Sequence, residues 1–100
     1  MSIFFHFNVD PGYLGATSEF EIAVVTFIQM YETVADQFYK IPEGDLVAKG
    51  IIADSISQIV DILSEIKKWD LNDKFHNMKV EYINIMKDHY NEITKELSSD

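Results

Sequence analysis

Residues 18–39 read SEFEIAVVTFIQMYETVADQFY, and their spacing decides the fold. Ser18 and Glu21 have the S-x-x-E spacing that satisfies free amides at a helix start. Phe20, Val24, Phe27, Tyr31, Val34 and Phe38 then recur in steps of four and three. Such a stripe lies along one side of a helix. Ile22, Val25, Ile28, Ala35 and Tyr39 widen it beyond what contact with one neighbouring helix requires. The helix is therefore either central to a bundle or shared with a partner. Lys40-Ile41-Pro42-Glu43-Gly44 ends it, since a residue before proline is disfavoured in helix.

The next stretch repeats the pattern. A second helix is expected from about Asp45 to Lys68, with Ile52, Ile56, Ile59, Leu63 and Ile66 as its seam. Leu46, Val47, Ile51, Val60 and Ile62 broaden the apolar face, and Asp54, Gln58, Asp61 and Glu65 fall opposite. Trp69 closes this helix, and Asp70 is a candidate cap for a third. The third helix runs to about Leu97. Its seam starts at Leu71, Phe75, Met78, Tyr82, Ile85 and His89, then drifts to Met86, Tyr90, Ile93 and Leu97. A short connection makes the second and third helices antiparallel neighbours.

The beginning of the chain reads differently. In residues 2–9, SIFFHFNV, Ile3, Phe5, Phe7 and Val9 alternate with Phe4, His6 and Asn8. Period two with aromatics is a strand signature, and Asp10-Pro11-Gly12 ends it. The expected fold is all-α: an antiparallel three-helix bundle preceded by a short N-terminal β-strand or extended aromatic arm. Residues 1–100 form one domain in this reading, with strand and connector over 1–16 and the bundle over 17–100.

Charge and composition narrow the function. Eight lysines and no arginine oppose seventeen acids, a net charge of −9. The excess is spread evenly: residues 1–50 carry seven acids and two lysines (−5), residues 51–100 ten acids and six lysines (−4). The basic stripe that nucleic acid needs is missing. No apolar run is long enough to span a bilayer. Residues MSIFFHFN lack the features of a signal peptide, so a cytoplasmic location is expected. With no cysteine, thiolate metal sites and thiol nucleophiles are excluded.

Catalytic motifs are equally scarce. Asp73 and His76 form one D-x-x-H, where a di-iron bundle uses Glu-x-x-His twice. His89 lies on the third helix's seam beside Asp88 and Glu92, and reads as a core-edge histidine satisfied locally. The acid pairs Glu32/Asp36 and Asp61/Glu65 fit solvated faces better than a Mg²⁺ site. No G-x-S-x-G, P-loop or G-x-G-x-x-G occurs, and no motif marks a family. Neither catalytic residues, nor metal ligands, nor a cofactor are expected.

Binding is the function left. Nine of the thirteen aromatics stand in the first 39 residues, set in an acidic chain, as in a protein-binding surface. The sequence therefore predicts a small non-catalytic inhibitor of the immunity-protein, antitoxin or phage anti-defence type. It would occlude a basic site on a partner protein, with no nucleic acid or membrane as its target. Phe4, His6, Tyr13, Glu32, Asp36, Asp54, Asp61 and Glu65 are the candidate contacts. A homo-oligomeric scaffold is the second expectation, assembling through Ile3, Phe5, Phe7, Val25, Ile28 and Tyr39. A helical Mg²⁺-dependent nucleotide hydrolase is the third.

Overall fold

The Ser18 hydroxyl accepts the Glu21 amide at 3.1 Å, and α1 (Glu19–Phe38) begins there. The structure, a computed structural model, describes residues 18–98. The expected strand or arm over residues 2–9, and with it Ile3, Phe4, Phe5, His6, Phe7 and Tyr13, lies outside the described residues. Helix α1 ends where the sequence places the break. Gly44 turns the chain at φ 95°, a conformation glycine adopts without strain. Asp45 then caps α2 (Leu46–Glu65) by accepting the Ala48 amide at 3.1 Å. A 3-10 turn at Lys68–Asp70 leads into α3 (Asp73–Ser98). Among the described residues there are three α-helices and no strand.

Two expected boundaries are corrected. Helix α2 stops at Glu65 rather than Lys68, and Ile66 is already extended. Asp70 does not cap α3; Asn72 does, its side-chain oxygen accepting the Phe75 amide at 3.1 Å. Both shifts have one cause. Leu71 is buried, so the chain must leave the helical path early enough to carry it inward. Trp69 is left 82% exposed on the outside of that turn. Lys79, on α3, donates to the freed Ile66 carbonyl at 2.6 Å and so satisfies the end of α2 from outside it.

Side-chain links fix the helix directions. Lys49, early in α2, is paired with Glu96, late in α3. Lys79, early in α3, reaches Ile66 beyond the end of α2. These two helices are antiparallel, as expected. The Glu21 carboxylate, early in α1, accepts the Asn72 amide at 3.4 Å, and Tyr31 meets His89 further along both helices. So α1 and α3 run parallel, and α2 runs against both.

The breadth of the α1 apolar face is used inside the bundle. Val24, Val25, Ile28 and Tyr31 are buried with Ile52, Ile56, Ile59 and Leu63 of α2 and Phe75, Met86 and Ile93 of α3. This corrects the self-association set: Val25 and Ile28 face the chain's own core and offer no surface to a second copy. The α3 seam drifts as the sequence indicates, with Met86 buried and Ile85 exposed. Burying a side chain of this size contributes roughly 1.5–3 kcal/mol. No described helix is long and apolar enough to cross a membrane.

Candidate functional site

Among the described residues, one concavity opens on each of two sides of α1. The first lies between the C-terminal halves of α1 and α3. Tyr31 and Tyr39 from α1 and its C-cap meet Ile85, Asp88, His89 and Glu92 of α3 around a cavity of ≈ 270 Å³. Parallel packing brings these residues together, because it sets the late turns of both helices side by side. His89 is 9% exposed. Its Nδ1 is 3.0 Å from the Tyr31 hydroxyl, and Nε2 has no partner in either tautomer. Aromatic rings surround the imidazole. Phe38 and Tyr31 meet it edge-on at 5.3 and 5.9 Å between centroids, and Tyr39 stacks on it at 6.1 Å with 18° between planes.

The electrostatics of this cavity follow from burial and acidity. Burial lowers the His89 pKa, opposed by the Glu92 carboxylate. Burial also raises the Tyr31 pKa, helped by Tyr39, Glu32, Tyr82 and Glu92 close by. A neutral imidazole and the neutral Tyr31 phenol thus sit beside carboxylates. Asp88 and Glu92 are exposed and have no ion-pair partner among the described residues. Nearby lysines are used elsewhere: Lys40 pairs with Asp36 at 3.1 Å, and Lys49 with Glu96 beside the Phe38 ring.

The second concavity is a groove of ≈ 290 Å³ between α1 and α2. Phe27, Met30 and Val34 line it from one side, and Ser55, Gln58, Ile59 and Ile62 from the other. The outward stripe of α2 continues from it. Val47, Ile51, Asp54, Gln58, Asp61, Ile62 and Glu65 share that stripe at helical spacing, which corrects the expectation that Val47, Ile51 and Ile62 broaden the buried face opposite the acids. Ile51 is 60% and Val47 77% exposed. Apolar side chains and three carboxylates therefore alternate on one open face.

The structure splits the acidic residues proposed as contacts. Asp54, Asp61 and Glu65 stand together on the outer face of α2 and are exposed. Glu32 and Asp36 are exposed too, but on the other side of α1. Position 32 is two residues from both Met30 and Val34, about half a turn away from the groove. The Glu32 carboxylate helps raise the Tyr31 pKa but does not line the Tyr31–His89 cavity. Tyr39, expected in self-association, is 77% exposed but covers His89. Among the described residues no three His, Cys, Asp or Glu side chains gather as a metal-ligand set. His76 is half-buried, and its Nδ1 has no partner.

The sequence sets Asp88 and Glu92 beside His89 but gives no sign that Tyr31 and Tyr39 join them. The pairing of Tyr31 with Tyr39, and of Asp88 with Glu92, each places two side chains on the same side of a helix. Only the parallel placement of α1 and α3 makes the pairs converge. No family model, curated protein or solved structure matches the chain, so its site is defined by its own geometry.

Proposed function

We propose that this chain is a non-catalytic binding domain that covers a basic surface of another protein and inhibits it by occlusion. The observation carrying this reading is the outer face of α2, where Asp54, Asp61 and Glu65 alternate with exposed Val47, Ile51 and Ile62 along the α1–α2 groove. Apolar side chains supply area to bury, and the carboxylates select a cationic partner and speed encounter. The even −9 charge extends the attraction beyond the contact. A basic surface that ordinarily holds nucleic acid fits this complement.

The test is capture of partners from the source cell or its host on the tagged chain, at low and moderate salt. One stoichiometric basic protein, lost as salt rises, is the expected result. The combined substitution Asp54→Asn, Asp61→Asn and Glu65→Gln should weaken that complex by about tenfold. Recovery of further copies of this chain alone would overturn the reading in favour of a self-assembling scaffold. An affinity unchanged by salt would remove its electrostatic part.

A further inference from the structure

We infer that the cavity between α1 and α3 is a receptor for a guanidinium group, the side chain of an arginine presented by another protein. The inference deepens the binding reading above and rests on it only for the source of that arginine.

The groups around the cavity are suited to accept hydrogen bonds from a cation. Asp88 and Glu92 are carboxylates one helical turn apart, and Tyr31 and Tyr39 bring phenol oxygens. His89 is nine-tenths buried, lines the cavity and keeps Nε2 unpartnered. Nε2 is itself closed off from solvent, so His89 acts here through Nδ1, which holds the Tyr31 hydroxyl in place. No cationic side chain is among the described residues that line the cavity. The chain has no arginine to supply, and Lys40 and Lys49 are committed to Asp36 and Glu96.

Ring geometry selects the kind of cation. Tyr39 stacks on His89 with one face and is 77% exposed. A planar guanidinium can stack on an open aromatic face while its N–H groups reach two carboxylates. An ammonium is a compact, strongly hydrated charge that gains less from such a surface. A metal ion is a poorer occupant, since no three ligating side chains converge.

The test is an NMR titration of the full chain with acetyl-arginine amide, observing the ring protons of Tyr31, Tyr39 and His89. Acetyl-citrulline amide, of the same shape without charge, and acetyl-lysine amide are the comparison probes. Saturable shifts confined to these rings are expected, with the arginine probe bound at least about threefold more tightly than the lysine probe. Glu92→Gln and Tyr39→Ala, both at exposed positions, should each weaken it about three- to tenfold. Asp36→Asn should change nothing. Equal binding of citrulline or lysine, no saturable shift, or shifts as large beside Asp54 and Asp61 would overturn the inference. Because the probe is a single amino acid, its failure leaves the α2 face untouched, and the α2 triple substitution tests that face without altering the cavity.

Discussion

His89 is the residue on which the α1–α3 contact turns. Tyr31, Phe38 and Tyr39 enclose its ring from α1, and Asp88 and Glu92 flank it on α3. Burial holds its pKa below the ordinary 6.5. The unfolded chain then takes up the proton at higher pH than the folded one. Stability from the neutral ring is complete above 6.5 and is lost as pH falls from there toward the depressed folded value. The urea midpoint should therefore drop between about pH 7.5 and pH 5.5, before most carboxylates titrate. His89→Gln should flatten that slope. An unchanged slope in His89→Gln would assign the dependence to another group. Phe75 makes a simpler prediction. It is almost fully buried, so Phe75→Ala should cost about 3–5 kcal/mol in denaturant unfolding.

At the scale of elements, the caps separate what the sequence declares from what tertiary packing imposes. Ser18 is legible because it stands next to its apolar pattern and bonds an amide three residues on, as Asp45, read only as the start of the second helix, also does. Asp70 has equal capping chemistry, yet Asn72 wins because Leu71 must reach the core first. Asn72→Ala should thus destabilise by about 1 kcal/mol, while Asp70→Ala should shift the thermal midpoint little. Gly50 lies within α2, and a Cβ added there meets nothing within 4 Å. Gly50→Ala should stabilise the chain by about 1 kcal/mol, read as a higher urea midpoint with unchanged slope. Gly44→Ala should do the reverse, since Gly44 occupies positive φ.

Across the whole molecule, the helix count and the seams were legible, whereas the buried charges were not. Glu21, Lys49 and Lys79 are buried charges whose partners lie on another helix or at its cap. Sequence separation hides such pairs: Lys49 and Glu96 are 47 positions apart. The candidate cavity was illegible for the same reason, as Tyr31 and His89 are 58 apart. The apolar breadth of α1 was visible, but its assignment to two internal neighbours needed the fold. Net charge acts on the molecule as a whole. At −9 the folded chain repels itself, so the thermal midpoint should rise as salt is added from low ionic strength. A midpoint that falls with salt would mean that the few ion pairs outweigh the repulsion.

The parallel course of α1 and α3 also governs how the chain can be rejoined. With three helices, residues 18 and 98 stand at opposite poles of a body 46 Å in its longest dimension. Many domains have neighbouring ends and accept a circular permutation through a short linker. Here a linker from residue 98 to residue 18 must return the length of a helix, about 30 Å for twenty residues. Fewer than about nine extended residues cannot cover that distance. New ends opened at the exposed Glu43–Gly44 turn should therefore be tolerated only while at least about nine residues join 98 to 18, a number that residues 99–100 and 1–17 already exceed. In copies fused head to tail, each copy would instead be left at one pole and the next entered at the opposite one.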